Sequence, residues 1–258
     1  MVNDKEQTLI DHLEALRWAL LRCVAATVLC FPAGYWFAPC VISFLVRHSF
    51  PEGMGELHYF APMEVFMVQL KLGLILALAV AYPWNVLQLW RFLLPALYAS
   101  ERRALGWWIV FSSLLFFGGI AFCALLILPL LMGFSASFAT PELQPMLRLA
   151  DFLSLAGWLM FAFGVVFQAP AVVMLAVRFG FITVAGLRRK RPYIMTVILV
   201  VAAILTPPDV VSQAMMALPC WLLFELGVLI AARLERRARH DPEGDADDEQ
   251  PYDLDETH

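Results

Sequence analysis

Charge is scarce in this chain of 258 residues: Asp, Glu, Lys and Arg supply only 16%, against 61% apolar residues and a mean hydropathy of +0.74. Soluble domains carry about 25% charged and about 45–50% apolar residues, so a water-soluble globular class is excluded. Metal-ligand spacing is missing too. The five cysteines (Cys23, Cys30, Cys40, Cys123, Cys220) are odd in number, scattered through apolar runs and without a CxxC pair, and the five histidines do not cluster. They read as small buried hydrophobes, not as a metal site or proton relay. A nucleophile elbow, a phosphate-binding glycine loop and a zinc-binding HExxH are absent as well, so neither an enzyme nor a cofactor is indicated. Basic residues are lacking from one stretch. Residues 241–258 hold nine acids and no Lys or Arg, which turns a net charge of −4 for the whole chain into +5 for residues 1–240. That tail reads as solvated and disordered, with an electrostatic arm as the alternative.

What is present is apolar length. A membrane helix needs about 20 mostly apolar residues. Residues 19–46, 65–89, 104–132 and 152–177 meet that comfortably; residues 193–206 and 212–232 form two shorter spans around Pro207-Pro208. The first run is too long for a cleaved signal peptide and no small-residue cleavage pattern follows, so insertion is expected, not export. Fifteen of the 18 Lys and Arg residues fall in the N-terminus, the loops after spans two and four, and the stretch after span six. By the positive-inside rule these are cytoplasmic. The expected fold is all-α and membrane-integral, with six transmembrane helices, both termini inside, and spans five and six short. Its organisation is a cytoplasmic amphipathic segment (1–18), a six-helix membrane domain (19–232) and a basic, then acidic, cytoplasmic tail (233–258).

Polar groups within spans are costly and invite functional readings. Gln168 lies ten residues from Arg178, about 15 Å along a helix and so near the midplane. Pro170 should free a backbone carbonyl one turn earlier and kink the helix there. The site is either interhelical glue or a polar functional spot, and since Gln does not titrate it is no proton relay. Lys71 is seven residues from Glu64, on one helical face, and is expected to snorkel toward Glu64 or lipid headgroups. Glu225 is expected to pair inside the bundle. Thr206-Pro207-Pro208-Asp209 makes either a plain tight hairpin with an Asp cap or a deliberately thin wall.

The loop over residues 89–103 places one acid, Glu101, among Arg91, Arg102 and Arg103, beside Pro95 and the apolar Phe92 and Leu97. Acids stand out on a face that insertion makes basic. Glu101 and Glu14 could each receive a guanidinium through charge-assisted hydrogen bonds, or Glu101 could pair with its own arginine neighbours.

Five motifs in order resemble the TatC family, the core subunit of the twin-arginine protein translocase. His12-Leu13-Glu14-Ala15-Leu16-Arg17 is similar to HLxELR, and Phe92 to Tyr98 followed by Glu101-Arg102 is similar to FxxPxLYxxER. The run from Phe161 to Pro170 resembles FxFGxxFExP, Leu187 to Tyr193 resembles LRKxRxY, and Thr206 to Gln213 resembles TPPDxxSQ. The resemblance spans residues 9–235. It implies a receptor for Arg-Arg signal peptides in the bacterial cytoplasmic (inner) membrane. Such a receptor exports folded proteins on the proton-motive force, with single-span TatA and TatB subunits, multiple copies of itself, and no nucleotide, metal or nucleic acid. On that resemblance Glu101 is the arginine-binding carboxylate; Phe92, Pro95 and Leu97 shape the site's floor; Arg17 and Arg102 hold the cytoplasmic segments or position the acids. Thr206, Pro207, Pro208, Asp209 and Gln213 belong to the outer cap and the docking groove for a helper helix. Two positions depart from the family: Ala15 stands where its second acid is usual, with Glu14 one residue earlier, and Gln168 replaces a midplane Glu. The competing reading is a small secondary transporter, which would need ionisable or unwound midplane sites; a passive anchor would leave the acid in the basic loop unexplained.

Overall fold

A computed structural model describes residues 4–50, 57–93, 102–138, 140, 147–178, 180–205 and 210–240. The chain is built from helices: α1 (Asp4–Ser49), α2 (Pro62–Leu93), α3 (Arg102–Phe122), α4 (Leu128–Ala136), α5 (Leu149–Val166), α6 (Ala169–Arg178), α7 (Val184–Arg189), α8 (Arg191–Leu205) and α9 (Val210–His240). Five stretches are long and apolar enough to cross a membrane: Leu13–Ser49, Pro62–Phe92, Gly106–Ala136, Leu149–Arg178 and Gln213–Arg233. The Arg191–Ile204 stretch is shorter. At 1.5 Å per residue the 15 residues of α8 rise about 22 Å, well below a hydrocarbon core of about 30 Å. The fold is therefore all-α and multi-pass, with six apolar helical passes. The segment preceding residue 19 is continuous with the first span, as α1 runs unbroken from Asp4.

Two passes are built from broken helices, each for a proline-related reason. The third pass joins α3 to α4 through a π-helical turn, Cys123–Ile127. Pro129 sits at the start of α4 and has no N–H for the preceding turn, and widening the helix there absorbs the mismatch. The fourth pass breaks at Phe167-Gln168. The Phe167 N–H still reaches the Phe163 carbonyl oxygen (2.9 Å) and the Gln168 N–H shortens its reach to that of Val165 (3.0 Å). Regular bonding resumes with the Val172 N–H on the Gln168 carbonyl (2.9 Å). Pro170, buried against α9, cannot donate to the turn before it, so the helix yields there.

Close helix approach depends on glycine at particular points. α1 packs along α2, and a Cβ on Gly34 would run into the Gly73 carbonyl oxygen and the Ala77 backbone. A Cβ on Gly227 would lie 2.8 Å from the Pro170 Cα, so α9 rests directly on the α5–α6 break. One core cluster gathers Leu45, Val68, Leu128, Leu159, Phe163 and Met216 from five of the passes; a second joins Met174, Val184, Phe224 and Val228 toward the cytoplasmic side. The outward face of α1 is left open, with Leu29 and Trp36 each 82% exposed, as suits side chains whose solvent is lipid.

At the outer end a β-bridge ties the segment before α2 to the start of α5: the His58 N–H donates to the Leu147 carbonyl (3.1 Å) and the Leu149 N–H to that of His58 (3.0 Å). The bridge delivers Arg148 to Glu64 (3.2 Å), with its guanidinium 5.4 Å over the Phe60 ring. Of the two destinations expected for Lys71, Glu64 or lipid headgroups, this removes Glu64. The Glu64 oxygen is held by Arg148 and by the Phe60 N–H (3.1 Å), because the bridge fixes that arginine beside the first turn of α2.

Candidate functional site

The cytoplasmic ends of α1 and α2 enclose a groove of about 280 Å³. Ala15, Trp18, Ala19 and Arg22 face it from α1, the i, i+3, i+4, i+7 pattern of one helical face, and Gln88, Arg91 and Phe92 face it from α2. Both motif segments that the sequence singles out thus contribute to one concavity. Glu14 and Arg17 are exposed and absent from its lining, while Ala15 is in it. One residue of offset turns a side chain by about 100° on a helix, which is why Ala15 and not Glu14 is in the lining. The described lining is aromatic and cationic, with Arg22 and Arg91 on opposite walls. Arg102 opens α3. Pro95, Leu97 and Glu101 lie outside the described residues, as do Thr206, Pro207, Pro208 and Asp209.

Near the midplane a polar chain crosses three elements. The Ser112 hydroxyl of α3 donates to the Gln168 Oε1 at 2.6 Å, and the Gln168 Nε2 donates to the Ser112 carbonyl oxygen at 3.0 Å and that of Gly164 at 3.5 Å. Tyr82 of α2 lies 3.2 Å from the Ser112 Oγ. With the Ser112 proton directed at Gln168, the Tyr82 hydroxyl is the donor in that contact. The Tyr82 ring stacks on Phe116 (centroids 3.7 Å, planes 5° apart), and Phe116 in turn fills the space left by the missing side chain of Gly164. Gln168 is thus hydrogen-bonded across to α3 at the helix break that precedes Pro170. Tyr82 and Ser112 were not singled out from the sequence: each is one modest polar residue in an apolar run, and no linear spacing links them.

The last two passes are joined by polar contacts at different heights. The Gln213 Nε2 of α9 donates to the Leu199 carbonyl oxygen of α8 at 3.0 Å. Nearer the cytoplasm Arg191, the first residue of α8, donates to the Glu225 Oε2 at 2.7 Å, with side chains 42% and 22% exposed. This identifies the partner expected for Glu225. The Arg191 Nε is buried without a hydrogen-bond partner. Among the described residues, no group of three or more His, Cys, Asp or Glu is arranged to hold a metal ion.

Comparison with known proteins supplies the context. The model of the family described as Sec-independent protein translocase protein (TatC) matches residues 11–219. The chain is 38% identical over 238 residues to the Sec-independent protein translocase protein TatC of Azotobacter chroococcum mcd 1, covering 91% of this chain and 93% of that one. It is 36% identical over 228 residues to the TatC protein of Escherichia coli strain K12, covering 87% and 88%. Among solved structures, a twin arginine translocase receptor, TatC, superposes with a TM-score of 0.75 at 32% identity, covering 87% of this chain and all of that one. A second TatC receptor structure, in DDM, gives a TM-score of 0.78 at 30% identity, over 85% and 99%.

Proposed function

The chain belongs to the TatC family of Sec-independent protein translocase proteins, and from that membership we propose that it is a receptor for twin-arginine signal peptides and the core subunit of a translocase for folded proteins. It works in the bacterial cytoplasmic membrane, in several copies, with TatA- and TatB-type single-span subunits and the proton-motive force. It moves protein and catalyses no covalent chemistry.

The observation that carries this reading is the shared groove. The HLxELR-like segment and the start of the FxxPxLYxxER-like segment, far apart in sequence, line one cytoplasmic cavity through Ala15, Trp18, Arg91 and Phe92. In this reading Phe92, Pro95 and Leu97 give the apolar floor. Glu101 binds a signal-peptide guanidinium by charge-assisted hydrogen bonds, and Arg17 and Arg102 position the surrounding segments. Arg22 and Arg91 repel the peptide's cations unless an acid outweighs them, which places the burden of recognition on Glu101. Gln213, with Thr206 to Asp209, belongs to the surface that docks a helper helix. The secondary-transporter alternative has no support among the relatives, which are translocase proteins, and the Tyr82–Ser112–Gln168 chain at the helix break is neutral.

A photo-crosslinker beside the Arg-Arg pair of a signal peptide, offered to membranes that contain the full chain with Glu101 intact, tests the proposal. An Arg-Arg signal peptide should form the adduct and a Lys-Lys version should not; equal capture of both would overturn the receptor assignment.

A further inference from the structure

A groove of about 270 Å³ cuts the membrane-facing surface between α2 and α5. Its walls include Leu72, Ile75 and Leu153, and its polar points are Lys71, Ser154 and Trp158. Lys71 is nine residues along α2 from Pro62, and Trp158 nine along α5 from Leu149, so both sit about 13 Å below the outer ends of their helices. The 32 residues of α2 span about 48 Å and overhang a core of about 30 Å at both ends. Centred in the bilayer, the helix places the Lys71 backbone about 4 Å inside the outer hydrocarbon edge, within reach of the headgroups through its four-carbon stem.

An exposed ammonium at that depth calls for an anion. Glu64, two turns nearer the surface on the same face, is engaged by Arg148 and the Phe60 N–H. Among the described residues no acid pairs with Lys71. Trp158, half exposed, brings an indole N–H to the level of Lys71, and the exposed Ser154 brings a hydroxyl one turn, about 6 Å, nearer the outer surface. We propose that this groove binds an anionic phospholipid of the outer leaflet, with the phosphate at Lys71 and an acyl chain along the exposed Leu74 and the half-buried Ile75, which follow Lys71 on the same face of α2. A partner helix could fill the same groove only by carrying its own acid at this depth, which the bilayer penalises; an anionic headgroup is already there.

Native mass spectrometry of the purified full-length chain, with phosphatidylglycerol and phosphatidylcholine of identical chains, tests this. The wild type should favour phosphatidylglycerol by about fivefold, the contribution of one cation near an anionic headgroup. Lys71→Gln should abolish the preference, whereas Lys71→Arg and the distant Arg47→Gln should keep it, with thermal unfolding confirming that each variant is folded. Free glycerol phosphate should not displace the lipid. No preference in the wild type, a preference retained by Lys71→Gln, displacement by glycerol phosphate, or capture of a protein helix instead of lipid from a crosslinker at position 154 would each overturn the proposal. None of these readouts depends on signal-peptide binding, so failure here leaves the receptor reading untouched.

Discussion

Ser112 and Gln168 exchange two hydrogen bonds across the α3 and α5–α6 interface, hydroxyl to Oε1 at 2.6 Å and Nε2 to carbonyl at 3.0 Å. Interhelical hydrogen bonds in membranes average about 0.6 kcal/mol and reach about 1.7 kcal/mol. Gln168→Leu should therefore lower stability in detergent by about 1–2 kcal/mol, and Ser112→Ala by less, since its carbonyl still accepts. The double variant should be less destabilised than the sum of the two, with a coupling of about 0.5–1.5 kcal/mol. Additive losses in thermal unfolding would show that the two residues act independently.

That network also marks what could be read from the sequence and what could not. The spans, the break before Pro170 and the depth of Gln168 follow from apolar length, missing N–H groups and helical rise, all local properties. Partner identity is not local. Glu64 looked to Lys71 because they share one helix face, yet a bridge between residues 58 and 148 brings in Arg148 from 84 positions away. Arg191 and Glu225 likewise meet only because α9 folds back along α8. The groove between α1 and α2 joins two motif segments that are far apart in sequence, and the side of α1 that faces it depends on 100° increments that only packing fixes.

Close packing at Gly34 gives a second test. A Cβ there meets the Gly73 carbonyl oxygen and the Ala77 backbone, neither of which can rotate away. Gly34→Val should force α1 from α2 and destabilise by about 1–3 kcal/mol, the usual range for overpacking. Gly118→Ala, where nothing lies within 4 Å, should be neutral or slightly stabilising through helix propensity. Parallel melting curves decide it; equal effects at both positions would refute the close approach.

The Arg191–Glu225 contact predicts an asymmetric pair of variants. Arg191 is 42% exposed, so the ion pair contributes only about 1 kcal/mol after screening. Arg191→Ala leaves a carboxylate that is 22% exposed on α9 and should cost more than Glu225→Ala, which leaves a guanidinium better able to reach water. Unfolding at low and high salt should show the wild-type advantage shrinking with salt. A salt-independent difference would point to packing rather than charge.

The position of Ala15 sharpens the reading of the cytoplasmic site. It lines the groove with Arg22 and Arg91, whereas Glu14 is turned away from it. If Glu101 alone supplies the receiving carboxylate, Glu101→Ala should cut export of an Arg-Arg reporter at least tenfold, since a charge-assisted hydrogen bond contributes about 1.5–3 kcal/mol. Membrane levels of the protein should not change. Glu14→Ala should retain most export. Ala15→Glu placed in the Glu101→Ala background should recover part of the loss, because it puts an acid into the α1–α2 cavity and offsets the two arginines there. Reporter export and immunoblots of membrane fractions, run on all three variants, separate the possibilities. A defect in Glu14→Ala as severe as that of Glu101→Ala, at equal protein levels, would move the receptor surface to the other face of α1.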